Sequence, residues 1–395
     1  MRCPIAVDWP EQPLESLPPE QFVPEHCPWR ECRSNQSGTA FRFHRHGVFV
    51  RKSDRRSVPR FLCLACGRTF SLQTFATTYY LKRPELLVPI AAGLNAGSAH
   101  RQLARSLGCN PSTVTRLSAR LGRHALLLAA LALESIDTVT EPIVFDHFET
   151  FAYSQDYPLG VGTPVGQDSW FVYGIDAATR RRGGKLSPAQ RQRRKALKTG
   201  QYAVPGSYGR SLREAVDRLL DKVPEGNRLE LVSDGHPSYK PGIERHAERD
   251  RITHRVYPNP PRGPKGSPRS PEALERDREM FAVDLLHGLT RHSQAHHRRE
   301  TIAFGRRHNA VMERAFLLIV WRNLVKRASE RRPTSPTPAM RLGLTRKPWS
   351  WPRVLAKRLF HWRVPLPDSW MRIYYRRWIT PALARNRLHT LKYAT

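Results

Sequence analysis

The sequence predicts a multidomain α+β protein: a small cysteine-held module, a pair of helices, an α/β domain whose mixed sheet is flanked by helices, and a basic C-terminal extension. Three observations predict it. Two close cysteine pairs stand near the N-terminus, a helix-turn-helix spacing follows them, and from Pro142 apolar runs of strand length alternate with a helical period. At 395 residues the chain is longer than one ordinary core, so several modules are expected. The 66 Lys+Arg against 34 Asp+Glu leave a net charge of +32, which points to a polyanion as partner, with nucleic acid the default. No run reaches the roughly 18 apolar residues of a membrane span. The opening MRCPIAVDWPEQPLESLPPE is acidic and Pro-rich, unlike a signal peptide, so a soluble intracellular protein with a leader over 1–20 is expected.

The first module spans 21–74. Of the six cysteines, Cys3 and Cys109 look like spares, while Cys27-Pro-Trp-Arg-Glu-Cys32 and Cys63-Leu-Ala-Cys66 form two knuckles. Zinc takes four thiolates at tetrahedral corners, and two short pairs on facing loops supply them with little distortion. Gly67 follows the second pair where positive φ is needed, with Phe61 and Phe70 on either side; the first knuckle is looser, with four residues between its cysteines. His44 and His46, in FRFHRHG, are alternative ligands, but the alternation there suits the solvent face of a strand.

Residues 75–124 carry the helix-turn-helix pattern. Leu103, Ala104 and Leu107 recur at helical spacing, Gly108 closes that helix, and Pro111 stands where a first-turn proline is tolerated. The second helix would present Ser112, Thr113, Thr115, Arg116 and Arg120 to a DNA groove or to phosphates, while Val114 and Leu117 pack inward. A plain helical hairpin has the same turn signal. Arg123–Leu133, apolar on nearly every face, reads as a buried connecting or dimerisation helix.

The α/β domain is placed at 125–330. EPIVFDHFETF gives a strand ending at Asp146, DSWFVYGID a strand from Trp170 to Ile175, and RLELVSDG a strand ending at Asp234, after the helix SLREAVDRLLDKV. Asp234-Gly235 alone is only a turn signal. Two strands that end in aspartates, however, bring both carboxylates to one rim of a sheet, as a hard divalent cation requires. A third acid should come from a helix crossing that rim, with Asp284, Glu300 and Glu313 as candidates. Asp284 is favoured, because Arg291 lies seven positions on along the same helical face and would set a phosphate-binding guanidinium beside it. Glu300 falls near the opposite face and serves as the alternative if the helix breaks around Ala295. The span 177–205 reads as a basic insertion, a solvated loop or a DNA clamp, with nine Lys/Arg and no acid between Arg180 and Lys198. The last segment, 331–395, opens on the Pro-rich RRPTSPTPAM and has 15 Lys/Arg against the single acid Asp368. With Trp349, Trp351, Trp362, Trp370 and Trp378 it reads as a partly folded DNA-contacting extension.

The ordered set RFLCLACGRTFS, QLARSLGCNPSTVTRL, Asp146-His-Phe-Glu149, SWFVYGID, SDGHPSY, VDLLHGLTR and RRETIAF covers about residues 27 to 323. In this it resembles bacterial insertion-sequence transposases of the acidic-triad type, which join an N-terminal zinc ribbon and a helix-turn-helix to a retroviral-integrase-like (RNase H-like) catalytic domain. The resemblance implies structural Zn²⁺ on Cys27, Cys32, Cys63 and Cys66. It also implies two Mg²⁺ or Mn²⁺ ions on Asp146, Asp234 and Asp284, the last an aspartate where many relatives carry glutamate. It further implies phosphodiester hydrolysis followed by strand transfer, with Arg291 and Arg298 or Arg299 near the phosphates, double-stranded DNA as element ends and target, a homo-oligomer on DNA, and a cytoplasmic, nucleoid-associated location. The rivals are a non-catalytic DNA-binding regulator or inactive remnant, and a nuclease on the same scaffold.

Overall fold

A computed structural model of the protein describes residues 9–36, 38–52, 54–196, 203–261, 263–264, 266–298 and 300–389. Cys3, Arg299 and residues 197–202 of the basic stretch lie outside them. The N-terminal module is a three-stranded antiparallel sheet of β1 (Phe43–Val50), β2 (Ser57–Cys63) and β3 (Thr69–Ser71), in that order. His44 and His46 are exposed on β1, but so is every residue from His44 to Val50, so the alternation marks no separate solvent face. Beneath the sheet, Phe22, Phe61, Phe70 and Phe75 form a small aromatic core that Phe360 of the C-terminal segment completes.

Helices α1 (Leu87–Asn95), α2 (His100–Ser106) and α3 (Pro111–Glu134) follow. The Asn110 side chain caps α3 by accepting from the Ser112 N–H, Pro111 occupies the first turn, and Gly108 takes φ 56° in the turn before it. The predicted boundary at 124 falls inside α3: the second helix of the pair and the apolar connecting helix are one 24-residue rod.

A five-stranded mixed sheet follows, built from β4 (Ile143–Phe151), β5 (Pro158–Gly166), β6 (Asp176–Thr179), β7 (Leu229–Ser233) and β8 (Ile252–Val256). Its order is β6-β5-β4-β7-β8; β5 is antiparallel to both of its neighbours, β4 and β6, and β7 and β8 run parallel to β4. Two sequence expectations are corrected here. Residues 170–175 are not a strand, keeping only a bridge between Val165 and Val172, and the strand that partners β4 is instead Pro-Leu-Gly-Val-Gly-Thr-Pro-Val-Gly. Its glycines are needed for close approach: a Cβ on Gly160 would lie 2.5 Å from the Tyr208 hydroxyl, and one on Gly162 2.5 Å from Ser211 Oγ. Both neighbours belong to α5 (Ser207–Leu220), which follows the short exposed basic helix α4 (Pro188–Ala196). The start of the supposed insertion, 177–179, belongs to β6.

Beyond β7 come α6 (Tyr239–Glu244), α7 (Pro271–Glu279), α8 (Phe281–Ser293) and α9 (His308–Val320), whose last turn widens over Trp321–Val325. The C-terminal segment, with short helices α10 (Pro338–Arg341), α11 (Trp351–Val354) and α12 (Asp368–Tyr374), is packed rather than loosely attached. Trp349, Trp351 and Trp370 are buried in the same apolar cluster that holds Leu103 and Leu121 of the helical pair and Phe145 and Leu231 of the sheet. Trp9 joins it too, stacked on Trp349 with centroids 5.6 Å apart, so the described part of the leader contributes one core residue. Among the described residues no helix is long and apolar enough to cross a membrane.

Candidate functional site

Two separate groupings of side chains can do chemistry. In the first, the ligand atoms of Cys27, Cys32, Cys63 and Cys66 lie within 4.8 Å of one another, three of these residues buried and Cys66 partly so. The Sγ atoms of Cys27 and Cys66 are 3.8 Å apart, as are those of Cys32 and Cys63. Four Zn–S bonds of about 2.3 Å at tetrahedral angles put sulfurs about 3.8 Å apart, so the cluster fits a structural Zn²⁺. The looser first knuckle is closed by backbone: Cys27 N–H donates to Ser34 O at 3.1 Å, and Asn35 Nδ2 to Cys27 O at 2.7 Å. In the second knuckle Gly67, at φ 69°, turns its N–H back to Cys63 O at 2.9 Å. Burial pushes the Cys27 thiol well above its ordinary range, so metal binding there would release a proton.

The second grouping lies at the C-terminal end of the parallel pair. The register matches Val144 with Val232 and Phe145 with Ser233, where β7 ends, so Asp146 and Asp234 come next on neighbouring strands. The expectation that β4 ends at Asp146 is corrected: β4 runs on to Phe151 against β5, and Asp146 stands where β7 parts from it. Asp146 Oδ1 accepts from its neighbour His147 N–H at 2.7 Å and from the Tyr239 hydroxyl at 3.2 Å. Tyr239 in turn touches the fully buried His147 at 2.8 Å, with Ser211 Oγ on the other ring nitrogen at 3.2 Å. Asp234 Oδ1 accepts from His236 N–H at 3.0 Å and its Oδ2 from Asn259 Nδ2 at 3.2 Å. Burial, then the charge of Asp234, and more weakly that of Asp284 push the Asp146 carboxyl up to about 7.

Asp284 sits in the first turn of α8. Its carboxylate is paired with Arg276 of α7, whose Nη2 lies 3.4 Å from Oδ1. The expected partner Arg291 points elsewhere: its guanidinium donates to His297 O at 3.2 Å and Glu149 O at 3.3 Å and lies 4.6 Å over the Phe148 ring. α8 stops at Ser293, and a 3₁₀ turn over Ala295–His297 makes the break on which Glu300 depends. Glu300 is exposed, whereas Asp284 is the acid felt at Asp146. Glu313 is 1 % exposed in α9 and accepts from Arg123 at 3.2 Å and from Arg376 at 2.8 and 3.0 Å, so it is a structural acid already engaged by two guanidiniums. Arg298 is exposed beside Gly97 O, 3.5 Å away. Among the described residues the cysteines alone bring three or more ligating atoms within 4.8 Å; the three aspartates do not close to that degree.

On α3, Ser112, Thr115 and Arg116 are exposed and Thr113 half-exposed, while Val114 and Leu117 are buried as their spacing predicts. Arg120 leaves that face: it is largely buried and donates to Tyr79 O at 2.8 Å, and burial pulls its guanidinium down to about 9. Sequence reasoning passed over Tyr239, His147, Asn259, Arg276 and His287, all now in contact with an acid or with its support. Tyr239, His147 and His287 lay inside the stretches SDGHPSY, Asp146-His-Phe-Glu149 and VDLLHGLTR, whereas nothing in the sequence pointed to Asn259 or Arg276. Comparison with protein-family models, with curated proteins and with solved structures finds no match to this chain.

Proposed function

We propose that the chain is a DNA transposase: it binds the ends of its element and carries out metal-dependent strand cleavage and strand transfer on an RNase H-like domain. The observation that carries this reading is the pairing register, which sets Asp146 and Asp234 side by side on parallel strands with Asp284 felt from the crossing helix. Acids on adjacent strand positions in a chain of net charge +32 are a local exception to its overall positive charge. Their oxygens match the hard ligands that Mg²⁺ and Mn²⁺ prefer. Asp146, Asp234 and Asp284 would hold two such ions, which supply activation of the attacking oxygen and charge stabilisation at the entering and leaving oxygens.

The chain's own residues do the rest. Tyr239 and the His147 N–H hold one face of the Asp146 carboxylate, the His236 N–H and Asn259 hold Asp234, and Arg276 neutralises Asp284. The open face of Ser112, Thr113, Thr115 and Arg116 is offered to double-stranded DNA, and the four cysteines fix the ribbon on structural Zn²⁺. A homo-oligomer on DNA and a cytoplasmic, nucleoid-associated location belong to the same reading. One observation favours the non-catalytic alternative: Arg276 already satisfies Asp284. Incubation with DNA carrying the element's own ends, in Mn²⁺ or Mg²⁺, separates the readings. Joining that is lost in Asp234→Ala supports the transposase, cutting without joining a nuclease, and binding without cutting a regulator.

A further inference from the structure

Thr163 stands opposite Asp146 in the β4–β5 register, and its hydroxyl donates to Asp146 O at 2.8 Å. The same Oγ1 lies 2.9 Å from His287 Nε2. With its single proton already committed, the hydroxyl accepts, so His287 carries its proton on Nε2 and presents a bare lone pair at Nδ1. That Nδ1 faces Asp146 Oδ2 at 3.6 Å, too far for a hydrogen bond. With Asp146 ionised, two acceptors thus face each other across a gap with no donor between them. His287 lies one turn after Asp284 on α8, its side chain only 15 % exposed, with its ring edge-on to Phe148 at 5.3 Å. Ligand bonds of about 2.1 Å to one cation span separations up to about 4.2 Å, which includes this gap.

We propose that His287 Nδ1 is a metal ligand beside Asp146 Oδ2, making that position a mixed nitrogen–oxygen site which prefers a borderline cation such as Mn²⁺ over Mg²⁺. The inference rests on the acid-site reading above and adds to it the ligand that decides which ion is taken. Imidazole nitrogen suits transition ions, whereas Mg²⁺ favours all-oxygen surroundings. Thr163 is the positioning residue, since it sets the tautomer from behind the ring as metal-bound histidines require.

The test uses the full chain with its ribbon zinc in place and reads Mn²⁺ and Mg²⁺ binding by calorimetry, with the ¹⁴N modulation of bound Mn²⁺ by pulsed electron paramagnetic resonance. His287→Gln is expected to weaken Mn²⁺ about 10- to 100-fold, leave Mg²⁺ within about 3-fold, and remove the nitrogen signal. Thr163→Val, which keeps the ring, is expected to weaken Mn²⁺ by a smaller factor. Unchanged Mn²⁺ affinity and signal in His287→Gln, with binding lost in Asp146→Asn, would overturn the ligand role and leave the acid site standing. Mn²⁺ binding indifferent to Asp146→Asn would overturn both. If His287→Gln does not fold, a wild-type Mn²⁺ spectrum without nitrogen modulation overturns the ligand role unaided.

Discussion

Asp146→Asn should make the metal-free protein more stable, and by an amount set by pH. In the fold, burial and the neighbouring charges of Asp234 and Asp284 lift the carboxyl from 3.8 to about 7. An acid whose folded pKa is raised binds its proton more tightly in the native state, so stability falls as pH rises from about 4 to about 7 and stays low above that. At 1.36 kcal/mol for each tenfold change, the full penalty is about 4 kcal/mol. Asparagine keeps the acceptor that His147 N–H and Tyr239 use but cannot ionise. The variant should therefore match wild type near pH 4 and exceed it by up to about 4 kcal/mol at pH 8. At about 2.1 cal/mol/K per residue the unfolding entropy of this chain is about 0.8 kcal/mol/K, which turns the gain into a Tm rise of about 5 °C. Thermal unfolding of both proteins in chelator across pH 4 to 8 measures it. A difference that is absent at pH 8, or equal at pH 4.5 and pH 8, would refute the electrostatic account of the site. Saturating Mn²⁺ should erase the gap, because the cation stabilises only the aspartate protein.

Glu313→Ala should cost about 3–5 kcal/mol in urea unfolding, since it removes the buried carboxylate that pairs with the Arg123 and Arg376 guanidiniums, and Glu313→Gln should cost less. Elemental analysis of the purified chain should find about one zinc per chain, and Cys63→Ser should lose it together with the ribbon's proteolytic resistance; full zinc occupancy in that variant would exclude the site. Arg116→Ala should weaken DNA binding and lower the salt slope by about one, as removal of one phosphate contact does. Arg120→Ala should instead lower stability, as its guanidinium is spent on Tyr79 O, and an intact fold with weakened DNA binding in that variant would contradict its inward placement.

The parts legible in the sequence were those whose chemistry is local. Cys63-Leu-Ala-Cys66-Gly67 declares its turn and its ligands within five residues, and Asn110-Pro111 announces the cap of α3. Asp146 and Asp234 were found because each follows an apolar strand, although nothing in the sequence said that β4 continues past its acid. What stayed hidden depends on partners far along the chain. β5 is invisible to propensity because its glycines and prolines read as loop, yet only glycine lets α5 settle on that strand. Arg276 displaced Arg291 as the neighbour of Asp284 because α7 folds back to the start of α8. Helical phase within α8 alone cannot show that contact. The tryptophans of the last segment interleave with basic residues as a nucleic-acid surface would, but Trp349 and Trp370 are among the largest fully buried side chains.

That burial changes what the C-terminal segment is for. Arg376 reaches Glu313 of α9, which also holds Arg123 of α3, so one carboxylate fastens α3, α9 and the C-terminal segment together. Phe360 of the same segment closes the aromatic core of the four-cysteine module, while Trp370 donates its indole N–H to Ile175 O beside the first residue of β6 at 2.9 Å. A segment that touches ribbon, helix pair and sheet at once fixes their relative placement. The exposed face of α3 therefore cannot swing freely relative to Asp146 and Asp234, because α3 is itself part of the core that supports the sheet. On the proposed transposase reading, the distance between a bound DNA end and the acids is set by packing. Loss of the Glu313 junction should disturb DNA positioning as well as stability, even though Glu313 touches neither.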